Sequence, residues 1–212
     1  MIINSFQGGF DKNLSYLIWC EKTLIASIVD PSTEITPIIE LINKNNLILD
    51  KIFITHTHHD HIAFLNDFLY LYPNIQIICY SDSNLNNDFK KVTNNQIITV
   101  GEELIICLYT PGHYHDSMCF WNKNRKMIFT GDTIFIGRTG RVVSKQSNIE
   151  DLYNSVYNTL LKLPHDTTIF PGHHYGYKKS ATISENIECS KFFNAQSLKE
   201  FKEIMDTFEA SR

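Results

Sequence analysis

The sequence predicts an α/β (α+β) fold in which two sheets are covered by helices. Three observations carry that expectation. Short β-branched runs dominate the first half, helical stretches fall between them instead of forming a separate block, and polar residues cluster where apolar runs end. The 212 residues are 43% apolar and 20% charged, enough for one packed core of single-domain size.

Strands are expected at 2–6, 15–20 and 23–29, each an apolar run bounded by polar or turn residues. Residues 34–43 place Ile35, Ile38, Ile39 and Ile42 at helical spacing. A strand at 52–55 follows, then a helix at 62–72 closed by Pro73. Strands at 75–79, 97–99, 104–109, 118–121 and 127–130 complete the β-rich stretch. Residues 149–163 carry Leu152, Val156, Leu160 and Leu163 on one side of a helix, and 168–170 read as a further strand. An amphipathic helix at 197–209 presents Leu198, Phe201, Ile204, Met205 and Phe208. That face can cover the chain's own core or that of a second subunit, so a homodimer is an open expectation.

Composition excludes several classes. A net charge of -4 argues against nucleic-acid binding through bulk positive charge. No apolar run is long enough to span a bilayer, so no membrane role is expected. The first residues show no cationic stretch followed by an apolar one, which gives the expectation of a cytoplasmic protein. The five cysteines, at 20, 79, 107, 119 and 189, form no CxxC pair, so neither a disulfide framework nor a cysteine metal knuckle is indicated.

Four times an apolar run ends in a small or turn residue followed by His or Asp. Thr55-His56-Thr57-His58-His59-Asp60-His61 follows Ile52-Phe53-Ile54, and Thr110-Pro111-Gly112-His113 follows 104–109. Thr130-Gly131-Asp132-Thr133 follows Met127-Ile128-Phe129, and Pro171-Gly172-His173 follows Thr168-Ile169-Phe170. Loops at strand ends on a rigid scaffold are where site residues gather. Four of the nine histidines lie between 56 and 61. In an extended loop His56 and His58 point the same way, so both imidazoles can reach one ion. Asp60 and His61, at the entry to the next helix, can turn toward a second point nearby. His113 can complete a three-histidine set, His173 can join Asp60 and His61, and Asp132 can bridge. Such nitrogen and oxygen donors suit Zn, Fe or Mn. Seating so many ionisable groups together without a metal to share would be costly, so a metal centre is the expectation. His165, in the turn Leu163-Pro164-His165-Asp166, reads as a surface residue. His59 and His174 flank the candidate ligands and read as exposed residues supporting them, His115-Asp116 read as a turn in preference to a pair behind the ligands, and Lys178-Lys179 as a solvated face.

In combination these four motifs resemble the metallo-β-lactamase superfamily over nearly the whole chain. The resemblance implies an αβ/βα four-layer sandwich with the metals at one edge. It implies a catalytic domain at 1–178 and a short C-terminal helical extension at 179–212 packed on the same domain. It implies that His56, His58 and His113 hold one metal, that Asp60, His61 and His173 hold a second, and that Asp132 bridges the two.

Within the superfamily, Gly131-Asp132-Thr133-Ile134-Phe135-Ile136-Gly137-Arg138-Thr139-Gly140-Arg141 and Pro171-Gly172-His173-His174-Tyr175-Gly176 resemble the glyoxalase II and persulfide dioxygenase branch. The resemblance implies hydrolysis of an S-acylglutathione-type thioester by a metal-bridging hydroxide. Two divalent ions, zinc first, with Fe or Mn as alternatives, would serve as cofactors, and Asp60 and Asp132 would be the catalytic carboxylates. Arg141 and Tyr175 match positions that contact glutathione in that branch. The alternative it leaves open is a mononuclear non-haem Fe(II) persulfide dioxygenase using His56, His113 and Asp132. The tail after the last ligand is short, like that of the dioxygenases, while Val142-Val143 depart from the Thr-Asp usual in them.

Overall fold

Apolar alternation and β-branched runs resolve into two six-stranded sheets in the computed structural model, which describes residues 1–211. The first sheet holds β1 (Ile2–Gly8), β2 (Asn13–Trp19), β3 (Ile25–Val29), β4 (Ile48–Phe53), β5 (Gln76–Tyr80) and β6 (Lys90–Val92), in that order. The β1–β2 and β2–β3 pairs are antiparallel, and β3 through β6 run parallel. The second sheet holds β7 (Ile97–Val100), β8 (Glu103–Tyr109), β9 (Met118–Asn122), β10 (Met127–Gly131), β11 (Thr168–Pro171) and β12 (Ala181–Thr182), again in chain order. Only β10 and β11 pair in parallel there.

Helices cover the outer faces. The first sheet's outer face packs Leu17, Ile28 and Ile52 against Ile38 and Ile42 of α1 (Thr36–Lys44) and Phe68 of α2 (Leu65–Leu71). The second packs Cys119, Ile128 and Ile169 against Leu152 of α3 (Ile149–Asn154), Ile183 of α4 (Ile183–Cys189), and Phe201 and Met205 of α5 (Leu198–Ala210). Between the sheets lie Leu14, Tyr16, Phe53, Phe120 and Phe129, with the Phe53 and Phe120 rings edge to face at 4.9 Å. Each such ring removed from water contributes about 1.5–3 kcal/mol. The four layers are the expected αβ/βα arrangement. The apolar face of α5 covers this chain's own core.

Three differences from the sequence expectation have physical causes. The strand expected at 52–55 ends at Phe53, because the Thr55 amide is taken by the Asp30 carboxylate at 2.7 Å instead of a neighbouring strand. The helix expected from 62 begins at Leu65, because residues 59–64 run as successive turns that carry His61 inward. The helix expected over 149–163 is α3 followed by a π turn at Ser155–Thr159 and a 3-10 turn at Leu160–Lys162. Leu152, Val156 and Leu160 recur every four residues, and on a regular α-helix each such step drifts about 40° around the axis. The wider turn takes up the drift, and all three side chains are fully buried.

Backbone hydrogen bonds tie the sheets together at one end, His174 N–H to the Lys12 carbonyl at 2.9 Å among them. Leu14 N–H donates to the Gly172 carbonyl at 2.8 Å, and Met118 N–H to the Thr55 carbonyl at 2.7 Å. The Tyr16 hydroxyl adds a bond to the Pro171 carbonyl at 2.6 Å. This stapled edge is where β4, β8, β10 and β11 all end, so the four motifs are delivered to one place.

Candidate metal centre

The loop after β4 carries His56, His58, Asp60 and His61; the turns after β8, β10 and β11 carry His113, Asp132 and His173. All seven meet. His58 Nδ1 lies 3.0 Å from His56 Nε2 and 3.1 Å from His113 Nε2. His61 Nε2 lies 3.2 Å from His173 Nε2, and Asp60 Oδ2 is 3.3 Å from the latter. Asp132 spans the two clusters: Oδ1 is 3.2 Å from His61 Nε2, and Oδ2 is 3.4 Å from His173 Nε2 and 3.5 Å from His113 Nε2. Three groups of ligand atoms lie within 4.8 Å of one another: His56, His58 and His113; His56, His61 and Asp132; and Asp60, His61 and His173.

The outward atoms decide which way the lone pairs face. His113 Nδ1–H donates to the Arg141 carbonyl at 2.8 Å, and His173 Nδ1–H to the Asp11 carbonyl at 2.8 Å. His61 Nδ1–H donates to Asp30 Oδ2 at 2.8 Å. With the outer nitrogens protonated, Nε2 of each ring is the inward ligand atom. Nitrogens that close repel unless positive charge, a proton or a metal ion, sits between them. Asp132 Oδ1 is buried, and among the described residues no hydrogen bond of good geometry reaches it although His61 Nε2 lies 3.2 Å away. A buried orphan oxygen among converging lone pairs is what a divalent cation satisfies, so the residues fit one.

The site is electrostatically lopsided. Burial holds His56 and His113 below the ordinary histidine range and brings His58 down to about 4, so this half is neutral and ready to ligate. Burial opposes charge on His61 and His173 as well, but Asp132 and Asp30 outweigh it at His61, and Asp132 with Asp60 raises His173 to about 9. Asp60 and Asp132 stay ionised despite burial because the same two imidazoles hold both carboxyls below the usual range. Protons thus occupy the carboxylate-rich half where positive charge is needed.

Three supporting residues, Asp30, Asn13 and Asp11, escaped the sequence reading, and a fourth, Asp116, reads from the sequence as part of a turn. Asp30, buried at the end of β3, accepts from Thr55 N–H, Thr55 Oγ1–H and His61 Nδ1–H. Asn13 Nδ2 donates to Asp60 Oδ2 at 2.9 Å. Asp116 accepts from Thr57 N–H and Oγ1–H, pinning the turn between His56 and His58. Asp11 accepts from the Tyr175 hydroxyl at 2.6 Å. Asp30 did have a signal: it follows the apolar run Ile25–Val29, the same polar exception at a strand end that marked the ligands.

The remaining expected residues are placed as follows. Asp11, Asp60, His113, Asp132, Arg141 and Tyr175 all line a cleft of about 200 Å³ that opens on the centre. The Tyr175 ring stacks on His173 at 4.8 Å. Arg141 is held by Glu209 of α5 through Nε and Nη2 at 2.8 and 2.7 Å. His115 lies in a turn, as expected, while His59 and His165 are exposed and His174 meets Gln7 at 3.2 Å. Lys178 pairs with Glu185 on the surface. No helix among the described residues is long and apolar enough to cross a membrane.

A family model described as the metallo-beta-lactamase superfamily matches residues 8–173. The probable hydroxyacylglutathione hydrolase glo2 of Schizosaccharomyces pombe is 32% identical over 191 residues, spanning 86% of this chain and 73% of that protein. The hydroxyacylglutathione hydrolase of Francisella philomiragia is 30% identical over 208 residues, spanning 95% and 81%. The crystal structure of ETHE1 from Myxococcus xanthus aligns with a TM-score of 0.89 at 26% identity, covering 98% of this chain and 91% of that one.

Proposed function

The chain belongs to the metallo-beta-lactamase superfamily, and from that premise we propose that it is a metal-dependent hydrolase of glutathione thioesters, similar to the hydroxyacylglutathione hydrolases. The observation that carries the reading is the set of seven converging side chains, with His61, His113 and His173 turned so that Nε2 faces inward. In this proposal His56, His58 and His113 hold one divalent ion and Asp60, His61 and His173 a second, with Asp132 shared and zinc the first choice of metal. Residues 1–178 form the catalytic body. The segment 179–212 belongs to the same body, a reading supported by β12 pairing with β11 and by α5 packing on the second sheet's outer face.

Bound there, divalent ions supply a water acidified toward neutral pH and Lewis acidity beside the thioester carbonyl. The chain's own residues do the rest. Asp60, steadied by Asn13 and kept ionised, orients the attacking water from the cleft side. Asp132 holds the two halves of the centre in register. The Tyr175 ring, flat against His173, walls the cleft beside the scissile bond. Arg141 stands at the cleft for an anionic part of the substrate. The departing thiolate is stable at neutral pH, so no strong general acid is required.

Metal analysis with turnover tests this directly. About two Zn, Fe or Mn per chain together with hydrolysis of S-lactoylglutathione is the expected result. One Fe per chain with oxygen consumption on glutathione persulfide would replace it with the dioxygenase alternative on His56, His113 and Asp132. Metal-replete protein inert toward both would overturn both.

A further inference from the structure

We propose that the last turn of α5 sets which thioesters the cleft accepts, with Glu209 as the specificity-determining residue. Its carboxylate occupies the Arg141 guanidinium where an anionic end of the substrate would dock. This rests on the thioester reading and adds a selectivity to it.

Arg141 donates from Nε to Glu209 Oε1 at 2.8 Å and from Nη2 to Oε2 at 2.7 Å. Two parallel bonds of this kind are how a guanidinium recognises any carboxylate, including one on a ligand. The Arg141 guanidinium pairs with one carboxylate at a time in this way, and its backbone is fixed beside the centre. Its carbonyl is the acceptor for His113 Nδ1–H, and Gly140 before it packs against His113 and the Asp132 carbonyl. Phe208, the residue before Glu209, lies 5.2 Å from the guanidinium of Arg138, which in turn sits 4.1 Å over the Tyr175 ring. One helical turn therefore touches both arginines that line the cleft.

The balance of charge follows. Asp11, Asp60 and Asp132 line the same cleft, and Glu209 offsets one of the two facing cations. A substrate carrying carboxylates must share or displace the Glu209 contact, whereas an uncharged thioester meets no such competition. The side chains of Arg141 and Glu209 are 39% and 28% exposed, so the pair is open enough to exchange partners.

Glu209→Gln, compared with the wild-type holoenzyme on two thioesters, tests this. One is S-lactoylglutathione; the other is the uncharged S-lactoyl-N-acetylcysteamine. The expected result is a KM for the glutathione thioester lowered about two- to fivefold, the range of a partly exposed ion pair, with kcat held and the uncharged thioester unaffected. Binding of the non-hydrolysable thioether S-hexylglutathione, followed by calorimetry, should tighten by the same factor. Glu203→Gln, which removes an exposed charge from the same helix, should change neither. Thermal unfolding checks that the variants fold, and Glu209→Ala must shift KM in the same direction. Equal shifts on both thioesters, a rise in KM, or no shift would overturn the inference. Wild-type protein inert to both thioesters would instead overturn the hydrolase reading.

Discussion

Asp30→Asn is the most informative single perturbation, because it changes one atom of a buried residue that contacts no substrate. The Asp30 carboxylate accepts three hydrogen bonds: Thr55 N–H on Oδ1, and Thr55 Oγ1–H and His61 Nδ1–H on Oδ2. Asparagine keeps the shape, and it tolerates the left-handed backbone at φ 51, so no strain is added. It cannot accept at both positions. If the amide nitrogen takes the Oδ1 place, the buried Thr55 N–H loses its acceptor. If it takes the Oδ2 place, His61 must become the acceptor at Nδ1, which moves its proton to Nε2 and removes the inward lone pair. The first orientation leaves a buried group unsatisfied, at about 1–3 kcal/mol, and the second removes a ligand lone pair. Losing the partner that orients a ligating histidine costs about 10–100-fold in metal affinity. Competition against a chelator of known affinity reads the second quantity, and denaturant unfolding of the metal-free protein reads the first. A variant with both wild-type metal affinity and wild-type stability would refute the argument that Asp30 holds the Thr55 amide and the His61 tautomer.

Three further outcomes follow from the same geometry. Asp132→Ala removes the carboxylate shared by His61, His173 and His113, and the purified variant should retain less than about half the wild-type metal by elemental analysis; full retention would contradict the bridging role. Gly172→Ala places a Cβ 2.4 Å from Asp132 Oδ1 and 2.5 Å from His61 Cε1, so metal affinity should drop at least about tenfold in chelator competition while the far ends of the sheets keep wild-type hydrogen-exchange protection. Metal binding should also release protons. His173 is raised to about 9, so the stability that its proton contributes to the metal-free fold is fully present below about 6.5 and is lost as pH climbs through 9. A metal competes with that proton, so affinity should rise across the same interval, with about one to two protons released per chain at pH 7 when calorimetry is repeated in buffers of different ionisation enthalpy; no buffer dependence would refute it.

Much of this was legible in the sequence, and the boundary of legibility has a physical shape. The seven converging side chains were readable because each follows an apolar strand and because unpaired ionisable groups are too costly to gather at strand ends without a purpose. The paired sheets were readable because β-branched runs alternate with amphipathic helices. What escaped reading depends on contacts between segments far apart in the chain. Asp30 meets His61 and Thr55, Asn13 meets Asp60, and Asp116 meets Thr57, and no local pattern announces those partners. β6 and β12 escaped because Lys90-Lys91-Val92 and Ala181-Thr182 offer no apolar run. α4 did leave a trace, since Thr182 and Glu185 form a capping box whose T-x-x-E spacing stands in the sequence. The π turn at Ser155–Thr159 could be sensed only as a four-residue repeat that drifts off one face.

The two halves of the centre bear on how many ions it holds. The three-histidine half is neutral by burial, so a cation bound there displaces no proton from it and gains three uncharged nitrogen donors. The other half carries Asp60 and Asp132 as anions, with Asp30 behind His61, and already holds protons in place of a metal. Filling it trades those protons for an ion, so its occupancy depends on pH while that of the first half depends far less. A preparation made at acidic pH should therefore look mononuclear, and the same protein dialysed against metal above pH 8 should look dinuclear. Counting ions at a single pH does not separate a one-metal enzyme from a two-metal one in this fold. The comparison that does so is metal content and thioester turnover measured together across the range in which His173 loses its proton.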